Sequence, residues 1–271
     1  MTGALDPAEA LRRTDAAGGS LADALRSAGV DPAGIGPDPE RIAGIGQFLE
    51  LHVEQGRGLA DLGAPVGLAT GIWPHGRWRL SLTGASNHAG TTRLADRHDP
   101  TLPLASAVAA ARALATAADG PVATMGRVLV EPNSTNSVPA SATAWLDARA
   151  ASDDVLDSLL ADWTEEVRRA AAAEGVEMAV TAESRSAAVT FDVALTDRLA
   201  TVLADRGRSA PRLPTAAGHD AGALAAVVPA AMLFVRNPTG VSHSPAEHAD
   251  PADCVTGVSV LAAVIEELAC R

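Results

Sequence analysis

Hydrophobic and polar residues alternate from Leu49 to Glu54 with a period of two, which is typical of a half-buried β-strand. The polar positions are Glu50, His52 and Glu54, so the predicted strand presents one imidazole and two carboxylates on the same face. Gly56 ends the strand. An imidazole with acidic neighbours can be a metal ligand with prepared supporting contacts. The same pattern also fits an exposed edge strand with a polar face, and taken alone it leaves both interpretations open.

The middle of the chain predicts a separate unit in which two helices alternate with four strands. The order is β-α-β-β-α-β, which is the ferredoxin-like arrangement. Two helices on one face of an antiparallel sheet bury enough surface to fold as a unit. The predicted elements are a strand at Trp78–Leu82, a helix at Leu102–Ala117, strands at Ala123–Val130 and Ala142–Arg149, a helix at Asp153–Ala173 and a strand at Val176–Ala182.

The two ends of the chain predict helices that alternate with buried strands. Ser20 is a suitable cap for a helix at 21–28, and a final helix is predicted at 250–268. The run 231–235 is continuously apolar, as expected for a strand buried on both faces. We therefore predict an α/β fold in which residues 1–73 and 187–271 form one domain and residues 74–186 are inserted as a second.

Composition narrows the class of partner and the compartment. The 271 residues are 47% hydrophobic, which supports a real core, and the net charge of −12 disfavours nucleic acid and anionic membranes as partners. Cys254 and Cys270 form neither a disulfide framework nor a zinc finger. The first residues lack a signal-peptide pattern, and the longest apolar run is too short to span a bilayer. We expect a reduced, cytoplasmic protein.

Three motifs, taken together, are specific. They are the segments 48–56 (FLELHVEQG), 84–92 (GASNHAGTT) and 240–247 (GVSHSPAE). In combination they resemble the N-carbamoyl-L-amino acid hydrolase and allantoate amidohydrolase branch of the dinuclear-zinc aminoacylase superfamily. The resemblance runs from about Leu5 to the end of the chain. It implies a zinc-peptidase-like α/β catalytic domain, present in part, with an inserted ferredoxin-like domain that serves as a lid and for dimerisation.

The resemblance also implies a metal site and an electrophilic histidine. Members of the family bind two divalent ions per subunit, zinc or manganese, through histidine and carboxylate ligands. His52 and His243 match two of these ligands. His88 matches the lid histidine that polarises the scissile carbonyl and stabilises the oxyanion, a role for which an imidazole N–H is suited. A loop histidine that only caps a turn is the alternative for His88.

Four further residues match substrate contacts of the family. Arg77 and Arg149 match positions that bind the substrate carboxylate, for which a guanidinium fork offers two parallel hydrogen bonds. Asn136 matches a polar substrate contact, and Gln55 is a further candidate beside the metals. Without the motifs, each arginine would be interpreted as a solvated surface residue.

The chain departs from the family pattern before His52. Relatives carry a His-x-Asp motif, a bridging Asp and a Glu-Glu pair there, whereas residues 1–51 contain no histidine and no such pair. A catalytic zinc ion usually has three protein ligands, and a general base contributes ~10²–10⁴ in rate. We therefore expect that the N-terminal third of the enzyme is missing, that metal binding is weak or absent, and that these residues alone have little activity.

The resemblance implies hydrolysis of a carbamoyl or ureido C–N bond by metal-activated water, with release of carbon dioxide and ammonia, in a homodimer formed through the lid. Two alternatives stay open. One is an aminoacylase or dipeptidase that cleaves an ordinary amide. The other is a non-catalytic dimerising module that binds carboxylates through Arg77, Asn136 and Arg149 without metals. A nucleophile elbow, a phosphate-binding loop and a dinucleotide fingerprint are not found in the sequence.

Overall fold

The computed structural model describes residues 1–15, 17–116 and 120–270. The α-helices are α1 Pro7–Arg12, α2 Leu21–Ser27, α3 Pro39–Ala43, α4 Gly58–Asp61, α5 Thr101–Leu114, α6 Asp153–Ala173, α7 Val193–Asp205, α8 Asp220–Leu224 and α9 Pro251–Cys270. The strands are β1 Phe48–Val53, β2 Val66–Ile72, β3 His75–Thr83, β4 Asn87–His88, β5 Val122–Glu131, β6 Ser137–Val138, β7 Ser141–Arg149, β8 Glu177–Ser186, β9 Val189–Thr190, β10 Arg212–Thr215 and β11 Ala230–Val235.

The chain forms two compact units. The first consists of residues 1–72 and 189–271, and the second of residues 73–188. Both combine sheets with helices, so the predicted α/β class is confirmed. In the part of the chain that the structure describes, no helix combines the length and the apolar character needed to cross a bilayer.

The first unit is built on a mixed sheet with the strand order β1-β11-β2-β10, and β9 also pairs with β2. β1 runs parallel to β11, and β10 runs parallel to β2, whereas β11 and β2 are antiparallel. All six residues of β11 are buried, as the continuous apolar run predicted. β1 lies at one end of the sheet, and all six of its residues are half-buried.

Alternation along β1 directs its side chains to two different cores. Leu49 and Leu51 pack against the core formed with α7 and α9. Phe48 packs against the core on the other face, which contains Ala221 of α8. Because side chains two residues apart share a face, Glu50 and His52 project to the same side as Phe48, toward α8. The hydrophobic pattern therefore positions the two polar side chains.

The second unit has a four-stranded antiparallel sheet in the order β5-β7-β3-β8. Helices α5 and α6 cover one face, and Trp163 of α6 is fully buried, with its indole N–H donating to the Ala107 carbonyl oxygen at 2.9 Å. Strand β8 ends four residues beyond the predicted Ala182. Helix α5 corresponds to the helix predicted at 102–117, of which Ala117 lies outside the described residues. The functions assigned to this unit, lid and dimerisation, stay predictions.

Candidate metal centre and substrate-binding residues

Three potential metal ligands converge on one face of the first unit. Glu50 and His52 lie on β1, and His219 is the residue immediately before α8. One ligand atom from each of the three lies within 4.8 Å of the other two. The His52 and His219 rings meet edge to face, with their centroids 4.6 Å apart. Among the described residues, this is the cluster of histidine, cysteine and carboxylate side chains that could hold a metal ion.

Backbone contacts orient two of these side chains. The Nδ1 atom of His52 lies 2.8 Å from the Val53 carbonyl oxygen. A carbonyl oxygen only accepts, so Nδ1 carries the proton and Nε2 keeps its lone pair. One carboxylate oxygen of Glu50 accepts the Ala221 N–H at 2.7 Å. The Glu50 carboxylate thus accepts a hydrogen bond from the first turn of α8 through one oxygen. Its other oxygen faces His219.

His219 is the most enclosed of the three. Its side chain is 2% exposed, and its Nε2 atom is buried without a hydrogen-bond partner. Its Nδ1 atom lies 3.6 Å from Glu50 Oε1, which is longer than a normal hydrogen bond. Burial lowers the pKa of His219, and the neighbouring His52 lowers it further, while Glu50 acts in the opposite direction. The imidazole is therefore held in its neutral form, which is the form that ligates metals.

Gln55 and His243 are brought together in the same unit. The Gln55 amide nitrogen lies 3.1 Å from His243 Nε2 and donates to the Ser242 hydroxyl at 3.0 Å. Glu247 accepts the His243 backbone N–H at 2.9 Å and the Ser242 hydroxyl at 3.2 Å. Gln55 and His243, two residues that the sequence singled out, therefore contact each other. Glu247 holds the loop that carries His243.

The backbone of His243 is strained. Its φ angle is 55°, and no other non-glycine residue among those described has a positive φ. A non-glycine residue in this region is uncommon and persists only where the surroundings determine it, which often happens at functional sites. Here the Glu247 carboxylate and the Gln55 amide hold it. His243 is not a member of the Glu50–His52–His219 cluster as the described residues define it.

The third polar residue of the strand pattern has a structural role. Both carboxylate oxygens of Glu54 accept backbone N–H groups at the start of α4, from Gly58 at 2.7 Å and Leu59 at 2.8 Å. These N–H groups have no partner within the helix, so Glu54 compensates for the helix start. Glu54 is thereby engaged away from the cluster that Glu50 and His52 form.

In the second unit, His88 and Asn136 lie on neighbouring segments. His88 pairs with Ser137 in the short β4–β6 ladder, and the Asn136 carbonyl oxygen accepts the Ala89 N–H at 3.0 Å. The His88 ring accepts backbone N–H groups at Nδ1, from Gly90 at 3.0 Å. The proton of the neutral ring is therefore on Nε2. The exposed side chain of His88 presents an N–H donor, as the predicted role requires.

The two predicted carboxylate anchors share a partner that sequence reasoning missed. Arg149 donates through Nε to Asp147 at 2.9 Å, and Arg77 donates through Nε to the same carboxylate at 3.2 Å. Arg77 lies directly opposite Asp147 in the β3–β7 register. Burial acts to raise the pKa of Asp147, but hydrogen bonds and charge from Arg149 and then Arg77 outweigh it and hold the pKa below its ordinary value. Asp147 therefore stays charged and holds both guanidinium groups.

Glu50 and His219 are the other residues that the sequence did not assign. The signal for Glu50 was its position two residues before His52, on the same face of the strand. The signal for His219 was its place directly after Gly218, where a short helix begins. A cluster of two imidazoles and a carboxylate has the donor set of a zinc-type site. The orphaned His219 Nε2 and the free lone pair of His52 fit a bound metal ion.

Comparisons with known proteins agree with this picture. The family model for peptidase family M20/M25/M40 matches residues 17–267. The chain is 32% identical over 269 residues to an N-carbamoyl-L-amino acid amidohydrolase of Geobacillus stearothermophilus, covering 99% of this chain and 66% of the relative. It is 31% identical over 273 residues to an allantoate amidohydrolase of Bacillus subtilis, covering 99% of this chain and 65% of the relative.

A solved structure is similar over the whole chain. An amidase of the hydantoinase/carbamoylase family from Burkholderia vietnamiensis superposes with a TM-score of 0.89 at 29% identity, over 100% of this chain and 65% of the other. The chain thus spans slightly less than two thirds of the length of each of these three proteins.

Proposed function

We propose that this chain, which belongs to peptidase family M20/M25/M40, acts as a metal-dependent amidohydrolase that cleaves the carbamoyl or ureido C–N bond of an N-carbamoyl amino acid or of allantoate. The observation that carries the proposal is the convergence of Glu50, His52 and His219 in a chain of this family. Its relatives include an N-carbamoyl-L-amino acid amidohydrolase and an allantoate amidohydrolase, which supports the carbamoyl or ureido class of substrate.

Two divalent ions, zinc or manganese, are proposed for the complete enzyme, with His52 and His243 among their ligands. Bound divalent ions lower the pKa of water and polarise a carbonyl, which is the chemistry that hydrolysis of a ureido group needs. His52 offers Nε2 because Val53 holds Nδ1–H. His243 presents its ring from a loop that Glu247 holds in one conformation. Gln55, in contact with His243, is proposed to bind the substrate beside the metals.

The second unit is proposed to bind and polarise the substrate. Arg149 and Arg77 would bind the carboxylate end, and Asp147 keeps the two guanidinium groups oriented before binding. Asn136 would donate to or accept from the polar part of the substrate. His88 would donate Nε2–H to the carbonyl oxygen as negative charge develops on it, since the N–H groups of the following turn hold Nδ1 as an acceptor.

We further propose that the protein is cytoplasmic and forms a homodimer through residues 73–188. The family resemblance supports the dimer, and the acidic composition supports a protein kept from anionic membranes and nucleic acid. Light scattering coupled to size exclusion measures the assembly. A monomer at all working concentrations would contradict the dimer and leave the proposed reaction unaffected.

A substrate panel tests the reaction. The complete enzyme, supplied with Zn²⁺ or Mn²⁺, is incubated with N-carbamoyl-L-amino acids, allantoate and the matching N-acetyl amino acids. We expect ammonia from the carbamoyl and ureido compounds only, and loss of that ammonia in His52→Gln and His243→Gln. Hydrolysis of the N-acetyl compounds without ammonia would instead favour the aminoacylase or dipeptidase alternative. Turnover that survives either histidine substitution would remove that residue from the metal site.

One observation favours a second candidate, the non-catalytic carboxylate-binding module. Arg77, Arg149 and Asp147 are already assembled within residues 73–188, independently of the first unit. Isothermal titration of an N-carbamoyl amino acid in the presence of a strong chelator separates the candidates. Unchanged affinity together with no turnover under any metal condition would support the module and contradict the hydrolase.

A further inference from the structure

We infer that Arg127, in the second unit, binds a second carboxylate of the substrate, so that the preferred substrate is an N-carbamoyl derivative of a dicarboxylic amino acid such as glutamate. The inference rests on the proposed function for the reaction, whereas the recognition itself belongs to residues 73–188. It adds a specificity-determining residue to Arg77 and Arg149, which are proposed to bind the first carboxylate.

Arg127 lies on the face of the sheet opposite to helices α5 and α6. Leu80 of β3 and Leu146 of β7 are fully buried in the core that these helices form with the sheet. Because side chains alternate along a strand, Arg79 and Trp145 project from the opposite face. Arg127 pairs with Trp145 between β5 and β7 and shares that face, since directly opposite residues point to the same side.

A β-bulge in β5 turns Arg127 toward this face. Thr124 of β5 pairs with Asp147 of β7. The next pair joins Arg127 and Trp145, so two residues of β5 lie opposite a single residue of β7. With regular pairing, the residue before Arg127 would oppose Trp145, and Arg127 would point to the helices. Bulges of this kind often re-aim a side chain beside a functional site.

Arg127 is held in place by an aromatic ring. Its guanidinium carbon lies 4.1 Å from the centre of the Trp145 ring, within the range of a cation–π contact. The indole N–H of Trp145 donates to both carboxylate oxygens of Glu183, at 3.1 and 3.2 Å, which fixes the ring. Glu183 is the extra residue of a second bulge, on β8, and lies 3.4 Å from Arg79 Nε. Contacts across four strands thus orient the Arg127 guanidinium.

The hydrogen-bond donors of Arg127 are available to a ligand. Arg77 and Arg149 share the Asp147 carboxylate. Arg127 is exposed, and it pairs with no carboxylate among the residues that the structure describes. A guanidinium stacked on a ring keeps its N–H groups at its edges, where two of them can donate to one carboxylate in parallel. Arg127 is therefore an oriented cation whose natural partner is an anion from outside the chain.

The position of Arg127 relative to the first pair of arginines suits a ligand with two carboxylates. Trp145 and Asp147 are two residues apart on the same face of β7, a separation of about 7 Å. Asp147 holds Arg77 and Arg149. Trp145 holds Arg127. The two carboxylates of glutamate, each with a hydrogen bond of about 2.7–2.9 Å to a guanidinium, span this distance, whereas allantoate has one carboxylate and would leave Arg127 without a partner.

Binding of two matched ligands to the 271-residue chain tests the inference without turnover. N-carbamoyl-L-glutamate and N-carbamoyl-L-glutamine have the same shape and differ in the charge of the side chain. Isothermal titration in the presence of a strong chelator gives both dissociation constants. We expect the glutamate compound to bind at least about tenfold more tightly, because only its side chain forms a charged hydrogen-bonded pair. This preference should fall as salt is added, since the pair is exposed.

Variants locate the preference. Arg127→Gln should bring the ratio of the two dissociation constants close to one. Arg112→Gln, an exposed arginine on α5 of the same unit, is the matched control and should keep the ratio of the wild type. Trp145 is a positioning residue, so Trp145→Phe, which keeps a ring face, should retain most of the preference and Trp145→Leu should lose it. A purely structural defect would weaken both ligands and leave the ratio unchanged.

Three results would overturn the inference. They are a wild type without preference for the glutamate compound, whether it binds both ligands equally or neither, an undiminished preference in Arg127→Gln, and a loss in Arg112→Gln as large as that in Arg127→Gln. A clear preference in the chain, together with no ammonia release by the complete enzyme, would support the role of Arg127 and contradict the proposed hydrolase. Ammonia release by the complete enzyme without any preference for the dicarboxylate would do the reverse.

Discussion

Asp147→Asn is predicted to destabilise the second unit at pH values where the Asp147 carboxylate is charged in the folded protein. The carboxylate accepts hydrogen bonds from Arg149 at 2.9 and 3.4 Å and from Arg77 at 3.2 Å. The Asp147 and Arg149 side chains are 32% and 29% exposed, whereas Arg77 is 66% exposed. Hydrogen bonds to charged groups contribute about 1.5–3 kcal/mol when sheltered, and exposed ion pairs contribute about 0–1 kcal/mol. We expect a loss of about 1–2 kcal/mol, mostly from the Arg149 contact.

The direction of the pH dependence follows from the pKa. Burial acts to raise the pKa of Asp147, but Arg149 and Arg77 outweigh it, so the folded state holds this pKa below its ordinary value of 3.8. As the pH falls, the unfolded state therefore takes up the proton first. The stabilisation from Asp147 is complete above 3.8 and is lost as the pH falls through the folded pKa. The difference between wild type and Asp147→Asn should shrink across the same window.

Tryptophan fluorescence can follow this unit selectively. All four tryptophans lie between residues 73 and 188, and the chain has no tyrosine. Urea denaturation monitored by tryptophan emission, at a series of pH values, gives the unfolding free energy of this unit. Asp162→Asn, an exposed carboxylate on α6, is the control and should change it by less than about 0.5 kcal/mol. A wild-type-minus-Asp147→Asn difference that is zero at neutral pH, or constant at all pH values, would refute the reasoning.

Three further changes test other contacts. Gly71→Ala should destabilise the first unit by more than about 2 kcal/mol, because the added Cβ would overlap the Val189 carbonyl oxygen. Gly46→Ala is the control, because a Cβ at that position has open space. Its thermal unfolding, followed by circular dichroism, should match that of the wild type. Glu54→Gln should lower the urea midpoint by an amount equivalent to about 1 kcal/mol, as the start of α4 loses a charged acceptor; an unchanged midpoint would contradict this. In the complete enzyme, His88→Gln should reduce ammonia release ~10²–10³-fold at unchanged stability, and near-normal release would remove its assigned role.

The fold was predictable where the information is local. The alternation around Trp78 indicates β3, because a strand buried on one face has apolar residues at every second position. The continuous apolar run indicates β11, because a strand buried on both faces is apolar throughout. The pairing of β9 with β2 was not predictable. It consists of two residue pairs, and it requires Gly71 because another backbone passes where a side chain would stand. A contact of this kind leaves little pattern in either segment.

The residues of the candidate site also divide into those that local sequence predicts and those that depend on contacts between distant segments. The alternation of polar and apolar residues along β1 is sufficient by itself to put Glu50 and His52 on one face. His219 could not be added, because Glu50 and the Ala221 N–H that it binds are 171 residues apart in sequence. Asp147 was missed for a related reason. Its spacing of two from Arg149 is visible in the sequence, but its position opposite Arg77 depends on the register between β3 and β7.

The register of β1 determines whether the ligands of the first unit exist as a site. Leu49 and Leu51 are half-buried and pack against one core, and Glu50 and His52 project from the other face, where α8 begins. A slip of one residue against β11 would place the carboxylate and the imidazole in the apolar core and the leucines beside His219. The cost of burying those polar groups therefore excludes the alternative pairing. The hydrophobic side chains that stabilise the sheet thus also select the face on which the ligands meet.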